Sequence, residues 1–146
     1  MIRDELEVAL NDVILAARAA ADGYDTAAGL SEGQCLTALL CEGRKRCRAA
    51  AAALETEQRR RGHPPKAKDE ENILVREVVT HVKAALAMDD IVPVLQERRA
   101  DEERMVDACR TLLALDPPPS LRRPTGQLLR RAESARGRLA ALARED

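Results

Sequence analysis

The stretch Ile91-Val92-Pro93-Val94-Leu95-Gln96-Glu97-Arg98-Arg99-Ala100-Asp101-Glu102-Glu103-Arg104-Met105-Val106-Asp107-Ala108-Cys109-Arg110-Thr111-Leu112 decides the fold. Ile91, Leu95, Met105, Cys109 and Leu112 recur at three- and four-residue steps, so they share one face of a long helix. The stripe is interrupted for two turns, and the same register places Arg98 and Glu102 on the inward line. A charged pair in mid-stripe marks the layer where a helical bundle would keep a site, or a site filled by its own side chains.

Three further stretches have the same period. Leu6, Leu10, Val13, Ala17, Ala20 and Tyr24 predict a helix over about 4–28, ended by Gly29. Ser31 and Gln34 read as a capping box for a helix over 31–61, with Leu36, Leu40, Gly43, Cys47, Ala50 and Leu54 inward. Leu128, Ala132, Ala135, Leu139 and Leu142 mark a helix over 120–144, its start blurred by Pro124. Between these, Gly62-His63-Pro64-Pro65-Lys66-Ala67-Lys68 reads as a linker. Asp69 would cap a shorter helix over 69–88, carrying Val75, Val78, Val82 and Leu86. Asp89-Asp90 would cap the helix over 90–115, with Pro93 in its first turn.

Composition agrees with an all-α chain. Ala, Leu, Arg and Glu favour helix, whereas the aromatic residues that sheets prefer are reduced to Tyr24. The 146 residues fit one domain, 1–146. Helices of about 25 residues span about 37 Å, and several with an apolar stripe predict an antiparallel four-helix bundle with one additional short helix.

The residues Leu10-Asn11-Asp12, Gly23-Tyr24, Arg76, Lys83-Ala84-Ala85-Leu86, Asp89-Asp90 and Leu95 through Glu102 resemble an uncharacterised bacterial family of ferritin-like four-helix-bundle proteins. The resemblance covers residues 8–115. Two departures stand out: Ala87-Met88 replaces the paired glycines usual before Asp89-Asp90, and the cysteine usual in the segment around Leu95 to Glu102 is absent. The resemblance implies a ferritin-like fold and a homo-oligomer, and it implies no activity.

Ferritin-like di-iron sites use Glu-x-x-His pairs, because residues three apart point the same way and can share one ion. Neither His63 nor His81 has a glutamate three residues before it, although Glu77 stands one turn before His81. Helix 4–28 offers no carboxylate on its inward stripe, since Asn11 and Asp12 lie about 120° away at ~100° per residue. Helix 31–61 offers Glu42 and Arg46 at its margin. The sequence therefore predicts no metal centre and no cofactor, and the candidate core polar cluster is Arg98, Glu102, Glu42 and Arg46. Two arrangements stay open. In one, the small residues Ala17, Ala20, Gly43, Cys47, Ala132 and Ala135 make room for a buried Arg98 and Glu102. In the other, which is the one favoured from sequence, the helix rotates or the layer opens, and both side chains reach water along their stems.

Cys35, Cys41 and Cys47 are spaced by six, which turns a helix by about 240° and prevents convergence on one ion. Cys47 and Cys109 read as small core residues. Arginines cluster at 59–61, 98–99, 122–123 and 130–131, but acids balance them to a net charge of −1 and Tyr24 is the lone aromatic. That balance argues against nucleic acid as a partner. No phosphate loop or nucleophile elbow is present, and serines fall at caps or on an arginine-rich face. Ala49 to Ala53 form a smooth surface suited to close helix packing, and a homo-oligomer, with a dimer favoured, is expected through this face. No apolar run approaches the ~18 residues of a membrane span, and the N-terminus lacks a signal-peptide pattern, so a cytoplasmic location is expected. The function expected is that of a non-enzymatic structural or interaction protein. The alternatives are a carboxylate-only metal site around Glu42 and Glu102, or a small-molecule binding module.

Overall fold

The computed structural model describes residues 4–31, 33–62 and 91–144. These form four α-helices and, among the described residues, no strand: α1 (Glu5–Leu30), α2 (Gln34–Arg60), α3 (Val92–Ala114) and α4 (Pro119–Arg144). The predicted helix over 69–88, the linker beyond Gly62 and the Asp89-Asp90 cap lie outside the described residues. No described helix is long and apolar enough to cross a membrane.

Local chemistry sets three of the helix ends. The Leu6 N–H donates to Asp4 Oδ1 at 3.2 Å and satisfies one of the free amides of the first turn. Pro93 falls in the first turn of α3, where a missing N–H does no harm. Asp116, at φ 50°, turns the chain sharply after α3 and ahead of Pro117. Two expected caps are absent. Helix α1 runs past Gly29 to Leu30, and Gly33, not Ser31, is the N-cap of α2 without a side-chain hydrogen bond. Ser31 Oγ instead accepts from Thr37 Oγ1 at 3.1 Å. Pro124 lies inside α4, which starts at Pro119, ahead of the expected position.

The helices enclose one core built on Leu10, Val13, Ile14, Leu40, Leu54 and Leu112, with Leu121 and Leu128 from α4. Burying each such side chain contributes about 1.5–3 kcal/mol. The expected stripes hold with small rotations. Ala51, not Ala50, is the fully buried alanine of α2, while Ile91 and Leu142 stand exposed at the ends of their stripes. Asn11 corrects the sequence reading, because it is 6% exposed. Close packing of α1 on α2 buries a wider arc than one stripe, and Gln58 Nε2 donates to Asn11 Oδ1 at 3.0 Å within it.

Helix directions follow from which residues meet. Asn11 faces Gln58, and Asp25 faces Arg44, so α1 and α2 are antiparallel. Two crevices lie between α2 and α4: one brings residues 39–46 together with 135–139, the other residues 46–53 with 124–131, so these two helices are antiparallel. A connection of only residues 115–118 makes α3 and α4 antiparallel as well. It follows that α2 and α3 run in the same direction, and residues 62 and 91 lie at opposite ends of a bundle about 40 Å long. Helix α1 packs between α2 and α3, α4 packs on α3, and α2 and α4 touch only lightly.

Candidate functional site

The interrupted stripe of α3 lies at the centre of the bundle. Arg98 and Glu102 are both 0% exposed, so the helix does not rotate to release them into water. Burying a charge is costly unless it is paired and hydrogen-bonded, and each is supplied with partners from other helices or the next turn.

Glu102 is held by α1 and α2. The Tyr24 hydroxyl donates to its Oε1 at 2.6 Å. Arg46 reaches across from α2 and pairs with the same carboxylate, its Nη2 on Oε1 and its Nη1 donating to Oε2 at 3.3 Å. This two-pronged geometry is the stronger form of arginine–carboxylate pairing. Burial, then the nearby Glu102 charge and the hydrogen bond to it, push the Tyr24 hydroxyl well above its ordinary pKa, so the phenol stays a donor. Burial works against the charge on Arg46, but its hydrogen bond to Glu102 and its neighbours outweigh that and raise its pKa.

Arg98 is held differently. Its Nη1 lies 2.7 Å from Asp101 Oδ2, one turn further along α3, and 3.4 Å from the Ala20 carbonyl of α1. The other Asp101 oxygen pairs with Arg104 Nη1 at 2.5 Å. Burial pushes the Asp101 carboxyl up, with Arg98 and Arg104 pulling against it. Arg98 Nε and Nη2 are buried without a hydrogen-bond acceptor among the described residues. The Tyr24 ring offers its face instead, 5.4 Å from the Arg98 guanidinium carbon and 5.9 Å from that of Arg46.

Two glycines make room for this layer. A Cβ on Gly23 would fall 1.8 Å from Arg98 Nη1, and one on Gly43 would fall 2.6 Å from the Tyr24 ring. Neither glycine has a positive φ, so what each supplies is space for a neighbouring side chain.

Of the four residues expected in a polar cluster, three come together and the fourth stands aside. Arg98, Glu102 and Arg46 converge on Tyr24, whereas Glu42 is exposed on α2. Glu42 lines a crevice of about 20 Å³ with Tyr24, Gly43, Arg46 and Arg138, large enough for about one water molecule. Sequence reasoning missed Asp101, although its spacing of three from Arg98 is the usual signal of a helical ion pair. It also missed the Asn11–Gln58 pair. Gln58 extends the stripe of α2 by one turn beyond Leu54, which was the available clue.

Among the described residues the donor set does not fit a di-iron centre. Glu102 has Tyr24 and Arg46 on its oxygens, Asp101 has Arg98 and Arg104, and Glu42 is in solvent. Among the described residues no three His, Cys, Asp or Glu side chains stand where they could share an ion. His63, Glu77 and His81 lie outside the described residues. The thiols are free and dispersed: Cys35 is exposed, Cys41 half-buried, and burial pushes Cys47 and Cys109 up to about 12.

No curated protein and no solved structure matches this chain. The model of one family, described as domain of unknown function DUF2383, matches residues 5–115. That span holds α1, α2 and α3, with every residue of the buried polar layer, and it leaves out α4. With most of its length matched, including the whole of that layer, the chain belongs to the DUF2383 family.

Proposed function

We propose that this chain is a ferritin-like bundle serving as a structural or interaction protein, with its central layer closed by its own ion pairs. The helix directions support the ferritin-like reading: two antiparallel pairs, with α2 and α3 parallel, is the arrangement of helices in ferritin-like bundles. The observation that carries the functional reading is Glu102. It is a buried carboxylate in the bundle core, the region where ferritin-like di-iron proteins keep their metal ligands, yet its oxygens are bonded to Tyr24 and the Arg46 guanidinium. A cation already fills the electrostatic role of a metal, and a second cation there would meet repulsion.

In this reading the protein works in a bacterial cytoplasm and associates with itself through the alanine surface of α2. Ala49, Ala52 and Ala53 are exposed, a run of small apolar side chains on a helix that packs only lightly against α4. The test is a thermal melt of untagged protein with and without Fe²⁺, Mn²⁺ and Zn²⁺, alongside sedimentation. The reading expects no rise in Tm with any metal, and an oligomer that Ala49→Glu with Ala53→Glu converts to monomer. A metal-dependent rise of several degrees, abolished by Glu102→Gln, would overturn it in favour of a carboxylate metal site.

A further inference from the structure

The charge balance of the chain is an average over two unlike parts. Helix α4 carries seven arginines and one glutamate, leaving 17 basic and 24 acidic residues elsewhere. Its inward stripe of Leu121, Leu128, Ala132, Ala135 and Leu139 packs on the core, so the arginines are driven outward. Arg123, Arg130, Arg131 and Arg138 are all exposed, and none forms an ion pair among the described residues. By contrast, Arg44, Arg48, Arg59 and Arg60 of α2 are exposed or half-exposed but paired with acids of α1 or of α2 itself.

At about 100° per residue, Arg123 and Arg130 fall on one line, with Arg144 close to it, and Arg131 and Arg138 form a second line on its flank. The row runs about 31 Å along a straight helix. Gln127, Ser134, Gly137 and Ala141 stand exposed between the arginines, none of them a large apolar anchor. Leu142, the exposed leucine of this helix, lies about 120° around from Arg130 but within about 40° of the Arg131–Arg138 line, in the last turn of the helix.

We infer that the outward face of α4 is a docking surface for the phosphate backbone of duplex nucleic acid. A protein partner needs buried apolar anchors at the centre of its interface, and the one large exposed apolar side chain here, Leu142, stands at the end of the row and not at its centre. A membrane-surface helix needs an apolar face to insert, and the apolar face of α4 is already spent on the core. A rigid row of guanidinium groups separated by small residues suits a linear polyanion, because the helix can approach closely and each arginine can meet a phosphate. The acidic remainder of the molecule repels the same polymer and leaves α4 as the side presented to it. The contact is to backbone only and carries no base preference. This surface lies beyond the family-matched span and is independent of the ion-pair layer.

The test is fluorescence anisotropy of the full-length protein with a labelled 20-base-pair DNA duplex, across 50–200 mM salt. With four to five phosphate contacts, log affinity should fall against log salt with a slope of about −4, or about two orders of magnitude over that range. Arg123→Gln with Arg130→Gln should weaken binding and bring the slope to about −2, while Arg59→Gln with Arg60→Gln on α2 should leave both unchanged. These side chains are exposed, so circular dichroism of the variants should match the parent. No binding at 50 mM salt, or a slope unmoved by the α4 substitutions, overturns the inference. So does binding to phosphatidylserine vesicles without binding to the duplex, which would assign the face to a membrane. Self-association lost on the same substitutions, with no duplex binding, overturns it too and assigns the face to a second copy.

Discussion

Tyr24 of α1 donates its hydroxyl proton to Glu102 of α3 at 2.6 Å, across 78 positions of sequence, and the same carboxylate binds Arg46 of α2. Three helices thus meet at one side chain. The Tyr24 ring also lies within reach of two guanidinium groups, Arg46 at 5.9 Å and Arg98 at 5.4 Å from its centroid. The lone aromatic of the chain therefore acts as a hydrogen-bond donor through its hydroxyl and as an electron-rich partner for cations through its ring.

Removing the hydroxyl while keeping the ring separates these two roles. Tyr24→Phe leaves Glu102 with Arg46 alone and should cost about 1.5–3 kcal/mol, the range for a hydrogen bond to a charged group. Urea denaturation read by circular dichroism gives the value. A loss below about 0.5 kcal/mol would mean that the hydroxyl does not stabilise the carboxylate.

Glycine-to-alanine substitutions give a test with an internal control. In an open helical position the change should stabilise by up to about 1 kcal/mol, and Gly137 has nothing within 4 Å of where a Cβ would stand. Gly43→Ala drives a methyl group into the Tyr24 ring, and Gly23→Ala drives one into the Arg98 guanidinium. Gly137→Ala should raise Tm, and the other two should lower it, each with a loss of stability typical of overpacking, about 1–3 kcal/mol. A rise in Tm at all three positions would mean that the layer is looser than described.

Alkaline pH should unfold the protein in a defined window. Burial pushes Cys47 and Cys109 from 9.0 up to about 12. The folded state holds these protons more tightly than the unfolded chain, so this contribution is whole below pH 9 and is lost as pH rises to 12. The loss is of order 4 kcal/mol per thiol if each ionised fully. Tyr24, raised by the same burial, acts in the same direction. Urea midpoints should fall steeply above pH 9, and less steeply in Cys47→Ala with Cys109→Ala. At pH 8, a thiol reagent should modify exposed Cys35 long before either buried cysteine.

Much of this arrangement could be read from the residues, and the exceptions share a cause. The four described helices and their apolar lines followed from period, and the interruption at Arg98 and Glu102 correctly marked the central layer. What period cannot say is how far a charged side chain reaches. Arg46 stands at the margin of the α2 stripe, yet its long stem brings the guanidinium to Glu102, whereas the shorter Glu42 on the same margin remains in water. Asn11 was placed outside by angle alone, but close helix packing buries a wider arc than a single line. The caps at Gly29 and Ser31 depend on how two helices are joined, a matter of tertiary geometry more than of local residue preference. The arginine clusters of α4 were visible in the sequence but were set aside for another reason: charge was summed over a chain whose parts differ in sign.

The most direct test of the central claim is a double-mutant cycle on Arg46 and Glu102, measured by urea unfolding of Arg46→Met, Glu102→Leu and the two together. Each single substitution strands a buried or half-buried charge and should cost about 3–5 kcal/mol. The double variant removes both charges and should cost clearly less than the sum, with a coupling of about 1–3 kcal/mol. Additive losses, or single variants within about 0.5 kcal/mol of the parent, would contradict a bundle closed at its centre by this pair.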